Sequence, residues 1–219
     1  MKLLNLKHEV LNNSLVVSAN YDMPSLSAKL SLSYRIGVDG EMVVTQNLTV
    51  SPDAKASEMF RFGMQMQMPK SFALIQYYGH GPYENYADRN NSAQIGLYRQ
   101  RVADQFYSYI RPQETGLKTG VRYWNQIDKG GRGLCFSSIG EFSASALNYS
   151  IESLDDGIQK DQRHSSEVEK VPYVNFCIDY LHMGLGCVNS WGALPLAKYR
   201  IPCQNYEFTF KVTPVVSVL

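Results

Sequence analysis

The sequence predicts an all-β protein, a large antiparallel sandwich built from its 219 residues. Three observations predict it. Apolar and polar residues alternate with period two along most of the chain, the pattern of strands that bury one face. Clusters of Gly, Pro, Asn, Asp and Ser punctuate these runs as turns. No stretch of 12 or more residues carries a convincing amphipathic helical period.

The runs LVVSANYDM (15–23), SAKLSLSYRIG (27–37) and EMVVTQNLTVS (41–51) open the series, separated by Pro24-Ser25 and GVDG (37–40) as hairpin-type connections. MFRFGMQMQMP (59–69) places Phe60, Phe62, Met64, Met66 and Met68 on one face. Further strands are expected at SFALIQYYG (71–79), TGVRYWNQI (119–127), LCFSSI (134–139), EFSASALNYSI (141–151), VNFCIDYLHMG (174–184) and NYEFTFKVTP (205–214). Segment 149–170 is the most helix-tolerant, a short helix or a polar excursion. About ten strands with short turns make a large antiparallel sandwich. The 15 tyrosines suit its half-buried pleated surfaces. Neither a repeat nor a low-complexity linker appears, so residues 1–219 read as a single domain.

Composition narrows the functional classes. A hydrophobic fraction of 44% and a charged fraction of 19% argue against whole-chain disorder. With 21 basic and 20 acidic residues well mixed, there is no electrostatic footprint for nucleic acid or an anionic membrane. No run of 18 apolar residues exists, and MKLLNLKHEVLNN lacks the apolar core and cleavage site of a signal peptide. A soluble chain of open compartment is expected. Cys135, Cys177, Cys187 and Cys203 show no C-x-x-C spacing and no histidine at ligand spacing, so no metal site is expected. Cys177 reads as a buried thiol, and a Cys187–Cys203 disulfide has no positive support.

Two connections are richer than hairpins require: YYGHGPYENYADRNNSAQIGLY (77–98) and YIRPQETGLKTGVRYW (109–124). Long loops on a compact domain are where functional residues usually sit. A glycosidase needs two carboxyl groups about 5 Å apart for retention or roughly 6.5–9.5 Å apart for inversion. Glu84, Asp88 and Glu114 are the tempting set, but with Arg89, Arg111 and Arg122 nearby they read more simply as ion pairs that hold loops. An aldose mutarotase needs an acid and a base on opposite sides of the sugar ring, which His80 or His182 with Glu84 or Glu114 would supply. A histidine in a Gly-rich turn is more simply a bracket for its loop. Trp124 lies in an alternating run and reads as core, whereas Trp191, in the turn HMGLGCVNSWGALP (182–195), is either a plug or a sugar platform.

The segments Gly79–Arg89, Pro112–Gly116 and His182–Trp191 resemble, in order and spacing, three motifs of the C-terminal domain of glycoside hydrolase family 2 β-galactosidases. Those motifs read G-x-G-P-x-E-N-Y-x-D-R, P-Y-x-x-P-x-E-N/T-G and H-M-G-x-G-x-x-x-S-W. The likeness covers about residues 59–212. It implies a galactose-mutarotase-like super-sandwich at the far end of a longer chain. The reacting glutamates and the catalytic metals would lie in a separate (β/α)₈ barrel, so this domain would hold no cofactor. Carried over by residue, the resemblance makes Trp191 the substrate contact, stacking on the leaving-group sugar at the barrel mouth. Glu84, Arg89, Glu114 and His182 would brace loops and domain contacts. The implied partners are a galactoside, through the full-length enzyme, and other domains of the same chain.

Two departures qualify the resemblance. The family's domain begins with additional strands before the stretch matching LVVSANY, which would leave an unpaired edge here and invite self-association into a homo-oligomer. The residues after Trp191, GALPLAKYRIP, follow the family only loosely. The competing reading is a freestanding mutarotase or epimerase, or a carbohydrate-binding module, on the same scaffold.

Overall fold

The computed structural model describes residues 1–155, 164–186 and 192–216, and these contain eleven strands in one branched antiparallel sheet. In chain order they are β1 (Lys2–Leu11), β2 (Ser14–Met23), β3 (Ala28–Ile36), β4 (Met42–Val50), β5 (Arg61–Pro69), β6 (Leu74–Gly81), β7 (Gln94–Arg101), β8 (Lys118–Ile127), β9 (Gly133–Leu147), β10 (Tyr173–His182) and β11 (Tyr206–Val215). The one α-helix among the described residues, the four-residue α1 (Ile151–Leu154), is capped by the Ser150 hydroxyl, which accepts the N–H of Ser153 at 3.0 Å.

The 15-residue β9 creates the sandwich. One of its edges pairs with β8. Along the other edge, Gly133–Ser138 pairs with β11, and Ser143–Leu147 pairs with β10. The sheet therefore forks. One branch continues β11-β4-β3-β2-β1, and the other is β10-β5. The branches face each other through aromatic pairs: Phe136–Phe176 at 4.4 Å, Tyr180–Phe208 at 5.6 Å and Phe62–Tyr206 at 5.6 Å between ring centroids. Trp124 is fully buried in this core, stacked on Tyr77 at 5.1 Å, with its indole N–H donating to Gln126 Oε1 at 3.0 Å. Cys177 is buried at 2% exposure, and burial pushes its thiol up to about 12.

Several expectations are corrected. The runs expected at 134–139 and 141–151 are joined in one strand, β9, which continues through the exposed Gly140-Glu141 step and ends at Leu147. The loop expected over 77–98 contains the whole hairpin return: β6 extends to Gly81, and β7 starts at Gln94. No residue of the edge strand β7 is buried, and its exposed face mixes Ile95 and Leu97 with Arg99 and Arg101, which blurs its period. Within 149–170, the described residues hold only α1 and a 3₁₀ turn at Ser165–Glu167. Finally, the unpaired edge expected at β2 is occupied by β1, which pairs along its length and is exposed at every residue.

Candidate functional site

The loops after β6 and before β8 meet the end of β10, and this brings the three sequence motifs into one cluster. Glu84 is its hub. The carboxylate accepts the Tyr109 hydroxyl, the Thr115 hydroxyl at 2.9 Å, the Gly116 N–H at 2.7 Å and Arg89 Nη2 at 2.7 Å. Burial pushes the Glu84 carboxyl up, but the donors Tyr109, Gly116, Arg89 and Thr115 outweigh it and hold the group below the ordinary carboxylate value. Arg89 also donates to the Tyr109 hydroxyl at 2.7 Å and lies over the Tyr86 ring at 4.7 Å.

The neighbours of Glu84 tie the same loops together. Asn85, 1% exposed, accepts the Thr119 N–H and hydroxyl at 3.0 and 2.6 Å and donates to the carbonyls of His80 and Tyr83. Asp88 reaches across to the third motif, accepting the N–H groups of Leu185 at 3.1 Å and Gly186 at 2.6 Å. A Cβ at Gly184 would sit 2.5 Å from the Asp88 carboxyl, so a side chain there would displace the carboxylate from its two N–H donors. The N–H groups of Met183 and Gly184 donate to the carbonyls of Phe60 and Tyr199, both at 2.9 Å. Trp191 and Cys187 lie outside the described residues, but the chain is pinned immediately before them, at 183–186. After them, Arg200 Nε donates to the Pro195 carbonyl at 2.6 Å and Ile201 bridges to Met59.

A second group of charges lies beneath. His182, at the end of β10, donates Nδ1–H to the Met183 carbonyl at 2.7 Å, and its Nε2 stands 3.8 Å from Glu114 Oε1. Because a carbonyl only accepts, this bond fixes the Nδ1 proton. Arg61 Nη1 is 3.5 Å from Glu114, and its fork binds Asp179 at 3.1 and 2.5 Å. Burial works against the Arg61 charge, but Asp179 and Glu114 outweigh it and hold the guanidinium above its ordinary range. Burial likewise pushes the Asp179 carboxyl up, with Arg61 opposing. Tyr86 fills the space between the groups at 0% exposure, its ring 5.5 Å from the His182 ring.

All four predicted bracing residues, Glu84, Arg89, Glu114 and His182, therefore lie in the cluster. His80 lies apart from the acids, its Nδ1 bonded to the Ala93 carbonyl at 2.6 Å, and Arg122 pairs with Glu141. Arg61 and Asp179 were not singled out in the sequence, although each puts a charge into an apolar strand run, which is the signal that marks them. Chemically the charged groups of the cluster are committed to one another, while the buried Tyr86 hydroxyl has no hydrogen-bond partner among the described residues. Glu84 is committed to four donors, and His182 and Glu114 face each other too closely for a pyranose ring to sit between them as acid and base. Among the described residues no three His, Cys, Asp or Glu side chains are grouped to hold a metal ion, and no helix is long and apolar enough to cross a membrane.

Fold and site together define a β-sandwich whose loops are cross-braced at one end around a glycine-rich turn. The family profile described as "Beta galactosidase small chain" matches residues 2–212. The chain belongs to that family. Named beta-galactosidases align with it: one from Lactobacillus delbrueckii subsp. bulgaricus at 31% identity, over 93% of this chain and 20% of that protein. One from Priestia megaterium shares 30% identity, over 91% and 19%. One from Streptococcus thermophilus shares 26%, over 98% and 20%. The chain thus spans about a fifth of the length of these relatives.

Proposed function

We propose that this chain is a non-catalytic sandwich domain of a β-galactosidase. It presents Trp191 to the leaving-group sugar while the reacting carboxylates, and any catalytic metal, belong to another part of the polypeptide. The indole of a tryptophan is a good partner for the apolar C–H face of a pyranose, provided its loop is held still. The observation that carries the reading is the clamp of Asp88 on Leu185 and Gly186, just before Trp191 in the chain. The saturated Glu84 and the closed Glu114–His182 pair support a bracing role for the cluster. They favour this role over a mutarotase, which needs room for sugar between acid and base.

The test is hydrolysis of a chromogenic β-galactoside by the purified chain. No turnover is expected. Turnover that stays with the chain through purification from a host lacking its own β-galactosidase would overturn the proposal.

A further inference from the structure

The two branches of the sandwich differ in width, and each ends, among the described residues, in an open strand edge. Beyond β4, one branch continues through β3, β2 and β1, whereas the other stops at β5, which pairs only with β10. A cavity of about 320 Å³ beside β5 shows what lies opposite: Leu48 of β4 and Leu30 of β3 form one wall, Phe62 and Met64 of β5 the other. The first strand position beyond β5 therefore faces β3, and β2 and β1 overhang farther out. Gap and overhang are both three strands wide.

The overhang keeps an apolar inner face. One cross-strand row carries Leu48, Leu30, Tyr21 and Leu3 from the core to the edge, and Leu6 and Val10 lie on the same side of β1, with His8 between them. Exposure climbs outward, from 2% at Leu48 to 49% at Leu3, 64% at Leu6 and 75% at Val10. Such alternation marks a face that suits burial against a second layer. The strand senses add a constraint. Every pairing from β1 through β2, β3, β4, β11, β9 and β10 to β5 is antiparallel, so across these seven steps β1 and β5 run in opposite directions.

We infer that two copies of this chain interlock, the overhang of each filling the gap of the other. A two-fold axis along the strands at β2, midway between the layers, exchanges the layers and reverses strand order while leaving strand direction unchanged. It brings β1 of one copy beside β5 of the second, antiparallel, so that the two open edges hydrogen-bond to each other. Leu3, Leu6 and Val10 then point into the second copy's cavity and onto its β3, and the two β2 strands face each other. One operation closes both gaps, as a self-complementary two-fold interface requires. The ten residues of β1, the nine of β5 and the inward residues of β2 and β3 reach the range of about 20–30 residues per partner, about 800 Å² a side, that stable interfaces use. A single strand added from another polypeptide would pair with β5 but leave the inner face of β1 and β2 bare. The inference goes beyond the Trp191 reading and does not rest on it.

The test is analytical ultracentrifugation of the purified chain combined with hydrogen exchange. At about 20 μM the expected species is a dimer, twice the 24.8 kDa of one chain, that dissociates on dilution. In the dimer, the outer-edge amides of both β1 and β5 should exchange about tenfold more slowly than in the dilute monomer. Leu6→Glu with Val10→Glu should give a monomer at the same concentration and release the β5 amides, although β5 itself is unaltered, with the melting temperature of the unaltered monomer. Leu11→Glu, on the outward face of β1 and 50% exposed, should leave the dimer intact. A monomer at that concentration, a dimer without protection of β5, a dimer that survives Leu6→Glu with Val10→Glu, or equal loss in Leu11→Glu would each overturn it. So would β5 amides that become protected only on adding the Priestia megaterium β-galactosidase lacking its matching region, which would give the gap to another part of that enzyme.

Discussion

The carboxylate of Asp88 accepts the backbone N–H of Gly186 at 2.6 Å across 98 positions of sequence, and it holds Leu185 in the same grip. Removing that acceptor leaves two loop donors without a partner. Asp88→Ala should destabilise the chain by about 1–3 kcal/mol, read by urea unfolding. Asp88→Asn keeps one acceptor oxygen and should cost less. Equal stability of Asp88→Ala and the unaltered chain would show that the clamp carries no strain-bearing role.

Arg61 and Asp179 form a forked ion pair with the aspartate side chain 1% exposed. Breaking one partner strands a buried charge, so Arg61→Met should cost about 3–5 kcal/mol. Replacing both, Arg61→Met with Asp179→Leu, should recover most of that loss, because a well-packed apolar pair avoids the desolvation penalty. A single variant costing under about 1 kcal/mol would contradict the pair's burial.

Lys118 is 2% exposed, and burial pulls its ammonium down to about 8, with Glu84 opposing. The folded pKa lies below the ordinary lysine value of 10.5, so the unfolded chain binds the extra proton. Stability from this group should therefore rise with pH between about 8 and 10.5. Lys118→Met should be the more stable protein at pH 7 by about 3 kcal/mol, on 1.36 kcal/mol per unit. The gap should narrow as pH climbs through that window, and a constant gap would contradict the assignment.

Glu84 titrates in the opposite sense. Its folded pKa is held below the ordinary 4.5, so its contribution is present above that value and is lost as pH falls beneath it. The stability difference between the unaltered chain and Glu84→Gln should be about 1–3 kcal/mol at pH 7 and should shrink on acidification below pH 4.5. Unfolding curves at pH 7, 4.5 and 3.5 would show it.

Period-two alternation located β4 and β11, which bury alternate residues, and it also located β2, β3, β5 and β10, although Val174–Asp179 of β10 are buried on both faces. It failed at other strands. β1 lies uncovered on both sides, the edge strand β7 leaves Ile95 and Leu97 exposed, and β9 carries an exposed Gly140-Glu141 step that reads locally as a turn. The cluster was legible as motif residues but not as contacts. Asp88 and Gly186, or Arg61 and Asp179, are far apart in the chain, and only the forked sheet brings them together.

The central claim concerns Trp191, a sugar contact supplied to chemistry performed elsewhere. Steady-state kinetics of Trp191→Ala in the β-galactosidase proposed to contain this domain test it most directly. Loss of one stacking contact, about 1–3 kcal/mol, should lower kcat/KM roughly 5- to 150-fold while leaving the acid and base limbs of the pH profile in place. A kcat/KM unchanged within error would contradict it.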